Sequence, residues 1–273
     1  MFQLEFMRRA FLVGIMLSIV IPCIGVVMVN KRNSMIGEAL SHVSLAGVTI
    51  GLIFRVNPII TAIISCAVAS FSIEIMRRYF PKNSDISTAI IMSLGIGLAA
   101  VLSDFVKGAA NFNSFLFGSI VAISDFEVIL VTMVFFIVIA VFAILYKALL
   151  YVSFDEVGAR LAGIRVQTVN IIFTFLISLS ISIASRTVGV LMVSSLMVIP
   201  VACALRVSKS YFQTVIYSIL FGMLFTIAGI VISFYQGLKP GGTMVLTGIV
   251  MLVTIVILQN LRKLLKKRNQ EKG

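Results

Sequence analysis

Glu38 and His42 stand four positions apart in the stretch 34–54, SMIGEALSHVSLAGVTIGLIF, and His42 is the sole histidine of the 273-residue chain. A spacing of four puts both side chains on one face of a helix, one turn apart. An ionisable pair in a segment apolar enough to cross a bilayer is costly, so it marks a substrate or ion path; a structural hydrogen-bonded pair between helices is the competing reading.

Few other polar groups fall in apolar stretches. Ser194, Ser195 and Pro200 lie in VGVLMVSSLMVIPVACALRV. Proline removes a helix hydrogen bond and frees a carbonyl near Leu196, and hydroxyls can re-satisfy it or line a polar path; a packing kink at Pro200 is the plainer alternative. Asp104, one turn before Lys107, is expected at an outer interface, where it would attract cations. Glu74, with Arg77 and Arg78 at i+3 and i+4, reads as a local ion pair. There is no GxxxxGK[ST] loop, HExxH or GxSxG motif, and one histidine cannot build a multi-histidine zinc enzyme. The chain is therefore not read as an enzyme, and energy for pumping would come from an ion gradient or a separate subunit.

The elements that must position these residues are membrane helices. Charged residues make up 12% of the chain and hydrophobic ones 60%, with a mean hydropathy of +1.15. An all-α membrane protein follows, a polytopic bundle of eight or nine transmembrane helices in one domain over 1–273. Spans are predicted at about 10–30, 35–54, 57–77, 86–106, 126–150, 168–186, 188–206, 211–235 and 243–262. The apolar stretch 111–124 is too short to cross and reads as re-entrant or interfacial. The first span lacks a small-residue cleavage site and is expected to stay in the mature protein. Cys23, Cys66 and Cys203 lie in separate runs and read as small buried hydrophobes.

With the N-terminus outside, sixteen of the 22 basic residues fall on the cytoplasmic side of these spans, which selects N-out and C-in. The net charge of +12 then reflects cytoplasmic loops rather than nucleic-acid binding, and the tail 262–273 reads as a basic juxtamembrane anchor. In this frame Glu38 lies roughly 6 Å and His42 roughly 12 Å from the inner end of its helix, the latter near mid-membrane. The cytoplasmic connection 151–167, YVSFDEVGARLAGIRVQ, has an acidic start at Asp155 and Glu156. Phe154, Val157, Leu161 and Ile164 form an apolar stripe at helical spacing, suited to the membrane surface or to a soluble partner.

Three motifs, in order, resemble the permease subunits of the bacterial zinc/manganese ABC importers, the metal ion ABC-3 family. Asn33 to His42, followed by Leu45-Ala46-Gly47, is similar to R-x-S-L-x-G-D-A-L-S-H-A-x-L-P-G. Phe154 to Ile164 resembles the coupling segment F-D-P-E-x-A-x-x-x-G-I/V. Val188 to Ala202 resembles V-G-x-L-L-x-x-x-L-L-I-I-P-A-A-T-A, and 115–124 resembles the family's L-F-G-x-[IL]-L-A-[IV]-[ST]. Glu38 stands where the family usually has aspartate, which keeps the charge and moves it by one methylene. Ala46 stands where proline is frequent, so a kink is lost.

The resemblance implies a homodimer in a bacterial cell membrane, with an extracellular metal-binding protein delivering the ion and a cytoplasmic ATP-binding subunit driving access. Phe154, Asp155, Glu156, Arg160 and Leu161 would couple to the ATPase. Glu38 and His42 would line the metal path, with Ser194, Ser195 and Asp104 as secondary candidates. No permanently bound cofactor is expected; the transported ion suits Zn²⁺ first and Mn²⁺ next. Two other classes stay open: a gradient-driven transporter using Glu38 and His42 as a proton relay, and a membrane assembly subunit that moves nothing.

Overall fold

A computed structural model describes residues 4–80, 83–106, 114–118 and 123–270. The long helices are α1 (Glu5–Asn30), α2 (Met35–Phe54), α3 (Pro58–Tyr79), α4 (Ser84–Ser103) and α5 (Asp125–Phe154). After a short α6 (Glu156–Leu161) follow α7 (Val166–Ala184), a π-helical turn at Ser185–Gly189, α8 (Val190–Val207), α9 (Tyr211–Gln236) and α10 (Pro240–Gln270).

Sequence chemistry sets several helix ends. Asn57 accepts a hydrogen bond from the Ile59 amide at 3.0 Å with Pro58 in the first turn of α3, the position where a missing N–H costs nothing. Ser124 and Glu127 form a reciprocal capping box at the start of α5. Ser210 caps α9, and Gly237 closes it in the left-handed region.

Two tie points define the ends of the bundle. Lys31, after α1, pairs with Glu156 of α6 at 3.0 Å. Arg9, near the start of α1, pairs with Asp125 at the start of α5 at 2.9 Å. Successive long helices alternate between the α6 end and the far end, and α4 and α5 meet at the far end. Of the expected non-crossing segment 111–124, residues 111–113 and 119–122 lie outside the described residues. Its described part makes a helical turn at 114–117, with Phe115 buried against Val48 and Ala62 and Leu116 packed on Leu45, Ala46 and Val190.

By length and hydropathy eight helical stretches can cross a membrane, one of them the 42-residue run Val166–Val207. At about 1.5 Å per residue that run is about twice the ~30 Å of a hydrocarbon core. The chain turns back within it at Gly189, whose φ is 97°. The Val188 carbonyl abuts Gly241 at the far end, whereas Met197 packs on Gly25 and Gly37 toward the α6 end. The Arg206 carbonyl accepts from Gln259 Nε2 at 2.7 Å. The described residues thus make nine passes, and the predicted short turn at SRTVG is a π turn that ends in a reversal.

Boundaries differ from expectation in two places. The connection 151–167 is not one surface element: 151–154 is the last turn of α5, 156–161 forms α6, and 166–167 already opens α7. The basic tail is helical through Gln270 as a continuation of α10, because Leu, Lys and Arg all propagate a helix well; 271–273 lie outside the described residues.

Helices α1 and α2 are the most buried of the long helices, α1 against α5, α8 and α9, α2 against α3, α4 and α8. Small residues allow the close crossings: a Cβ at Gly47 would fall 2.7 Å from the Ala62 Cα. At Gly189 a side chain would also meet the backbone of Phe117 and Gly118. Gly189→Ala is therefore expected to destabilise by about 1–3 kcal/mol, read as a lower unfolding temperature in detergent; an unchanged melt would contradict the strained reversal.

Candidate functional site

Helix α2 runs unbroken from Met35 to Phe54, consistent with alanine rather than proline at position 46. Its inner half leaves one stripe uncovered, Met35, Glu38 and His42, of which Glu38 is exposed and His42 half-buried. Neither side chain has a hydrogen bond or ion pair among the described residues, so they are not a structural pair.

Across from this stripe lies α8. Ser34, Met35 and Glu38 share an open groove of about 270 Å³ with Ser194, Ser195, Val198 and Ile199. Packing thus gathers the carboxylate and both hydroxyls, from positions about 160 apart in sequence, while His42 sits one turn further along α2. Pro200 lies within α8, buried just past the groove. Asp104 is elsewhere, exposed at the far end of α4, and takes no part in the groove.

The reversal that aims α8 at α2 is held by a cluster not singled out from the sequence. Arg186 Nε donates to Glu127 Oε1 at 3.0 Å, and Nη1 donates to Ser114 Oγ at 3.1 Å. The guanidinium also stacks over the Phe115 ring, 4.5 Å from its centroid. Glu127 is 11% exposed and Arg186 18%. The signal available in sequence was Ser124-x-x-Glu127, a capping-box spacing at the head of an apolar run.

At the opposite end α6 leaves an apolar face exposed. Asp155 Oδ1 accepts from the Val157 amide at 2.9 Å and caps the helix. Ala159 is buried, while Phe154 is 69%, Val157 67% and Leu161 86% exposed, so three members of the expected apolar stripe point away from the bundle, whereas the fourth, Ile164, packs against the core. Arg160 is exposed beside it. Glu156 turns inward instead: it pairs with Lys31 and accepts from Asn170 Nδ2 at 3.3 Å, while Lys31 donates to Asn170 Oδ1 at 2.6 Å. Lys31 and Asn170 carried no sequence signal for this role.

Burial pushes the Lys31 ammonium below its ordinary pKa, with Glu156 opposing. Burial raises the Glu156 carboxyl, but the Lys31 charge and the hydrogen bonds from Lys31 and Asn170 outweigh it and leave the net value lowered.

These features define a polytopic membrane protein with a polar groove on one helical face and a short helix with an exposed apolar face at one end. The chain belongs to the ABC 3 transport family, which it matches over residues 3–259. It is 34% identical over 260 residues to a probable metal transport system membrane protein of Treponema pallidum, covering 94% of this chain and 97% of the relative. It is 28% identical over 262 residues to the manganese import system permease protein ScaB of Streptococcus parasanguinis, covering 96% and 94%. Among solved structures it is similar to PsaBC from Streptococcus pneumoniae in complex with Fab, with a TM-score of 0.82, 25% identity and coverage of 92% and 91%.

The Lys31–Glu156–Asn170 network carries a test. A folded Glu156 pKa below its unfolded value contributes stability that is full above the unfolded pKa of about 4.3 and is lost as pH falls through the folded value. Amide exchange over 155–163 should therefore accelerate in acid, and at neutral pH in Glu156→Gln. Protection that is unchanged in both would remove this network as the anchor of α6.

Proposed function

We propose that this chain is the membrane subunit of an ATP-driven importer for a divalent transition-metal ion, and that Glu38 and His42 line the ion's path. The observation that carries the reading is the unpaired carboxylate on an uncovered face of a membrane helix, with two hydroxyls across a groove. A carboxylate left against lipid is costly, so the face needs a cover. A second copy related by twofold symmetry covers it with the same face. Each protomer then brings one carboxylate and one imidazole, four donors in all around a hydrophilic seam.

Carboxylate, imidazole and hydroxyl are ligands acceptable to both Zn²⁺ and Mn²⁺, and the set contains no thiolate to bind either ion too tightly for release. The name of the streptococcal permease supports manganese as a cargo; imidazole suits zinc well. An extracellular binding protein loads the path at the far end, which faces outside with the N-terminus, and the C-terminus is cytoplasmic. The charge distribution along the chain supports that orientation.

The exposed Phe154, Val157 and Leu161 fit an apolar groove on a cytoplasmic ATP-binding subunit, with Asp155 and Arg160 at the rim. Glu156 acts from beneath by tying α6 to the α1–α2 turn and to α7. A push on α6 is thereby delivered at the start of the helix that carries Glu38.

Reconstitution with the ATP-binding subunit tests this. His42→Ala and Glu38→Gln should each lower ATP-dependent zinc or manganese uptake by about tenfold or more, while Glu38→Asp retains it. Leu161→Arg should release the ATP-binding subunit without unfolding the chain. Full uptake by His42→Ala would sink the metal path, and uptake driven by a pH gradient without any ATP-binding subunit would replace the reading with a proton-coupled transporter.

A further inference from the structure

At the α6 end a cavity of about 920 Å³ opens between the α1–α2 turn, the last turn of α3, the end of α5 and the start of α7. Its walls carry five cationic side chains, Lys31, Arg32, Arg77, Arg78 and Arg160, and two carboxylates, Glu74 and Glu156. Lys31 is taken up by Glu156. Glu74 approaches Arg77 at 3.7 Å without a hydrogen bond, so its buried Oε2 has no donor, and Arg77 Nε and Nη2, also buried, leave two guanidinium donors with no acceptor. Arg32 and Arg78 have no ion pair among the described residues. Buried guanidinium donors without an acceptor are rare because the lost hydration is not replaced, so the cavity is built for an anion.

A second feature identifies the kind of anion. On the outer surface, α3 and α7 part to leave an apolar groove of about 380 Å³ between Ala67, Phe71, Ile171 and Phe175. Glu74 borders both spaces, so groove and cavity adjoin. From Arg77 to Ala67 along α3 is about 15 Å, half of a ~30 Å hydrocarbon core. The pair therefore has the form of one leaflet's lipid: a basic chamber roomy enough for a head group at the interface, and an apolar channel descending to mid-membrane.

We propose that this is a binding site for an anionic phospholipid, its phosphodiester held by Arg77, Arg78 and Arg32 and one acyl chain lying in the α3–α7 groove. Basic pockets at membrane depth recognise lipid head groups in this way. The site shares Lys31 and Glu156 with the network that anchors α6, so a bound lipid braces the docking helix.

Native mass spectrometry of the full chain in mild detergent, offered phosphatidylglycerol and phosphatidylcholine with matched acyl chains, tests the proposal. The wild-type chain should retain phosphatidylglycerol preferentially, and R77Q and R78Q should lose that preference. R78Q is the safer variant because Arg78 is exposed. A67F leaves the cations intact and fills the groove, so it should weaken retention of the long-chain lipid but not of glycerol phosphate. Equal retention of the two lipids, or an unchanged preference in both arginine variants, overturns the site. Displacement of the lipid by inorganic phosphate with no effect of A67F makes it a free-anion site instead. Loss of the ATP-binding subunit from R78Q with lipid retention intact makes it a pocket for an acidic protein segment.

Discussion

Arg186 holds one guanidinium between three parts of the chain that sequence separates widely: the α5 N-terminus through Glu127, the connecting segment through Ser114 and Phe115, and its own π turn. A cation mostly withdrawn from water persists only with a charge partner and filled hydrogen bonds, so these three parts must meet. Their meeting makes the reversal at Gly189, and the reversal sends α8 back beside α2. Without it Ser194 and Ser195 would not face Glu38. The far-end ion pair thus sets the geometry of a groove nearly a helix length away.

The two ends handle charge differently. At the far end, Glu127 and Arg186 satisfy each other and lock packing. At the α6 end the cations outnumber the carboxylates, and one, Lys31, is used to fasten α6. Between them Glu38 and His42 have no hydrogen-bond or ion-pair partner among the described residues. A protein that spent polar groups only on stability would have paired them; leaving them open is what a binding path requires, because an ion needs vacant ligands.

Mechanical connection follows from the same contacts. Glu156 joins α6 to Lys31, and only a few residues separate Lys31 from the start of α2. Asn170 joins the same pair to α7, and in the π turn that follows α7 Ser185 Oγ accepts from Ser44 Oγ of α2 at 3.2 Å. Displacement of α6 therefore reaches α2 at the end nearer α6 and near its middle, on either side of the candidate site.

Much of this was legible in the chain by itself. Apolar runs about 20 residues long need no tertiary context to become helices in lipid, since each satisfies its own backbone hydrogen bonds; hence a bundle of eight or nine membrane helices could be read directly. A spacing of four placed Glu38 and His42 on one stripe, and the Phe154-Val157-Leu161 stripe was visible because it is periodic. What tertiary structure alone decided was every meeting across helices: Glu38 on one groove with Ser194 and Ser195, Glu127 paired with Arg186, Lys31 with Glu156 and Asn170, and Asp104 at the far end of α4, away from that groove. In membrane helices that are apolar on nearly all sides, periodicity does not say which side meets which neighbour. Close packing of small residues and a few buried charges makes that choice, and those contacts exist only once the chain has folded.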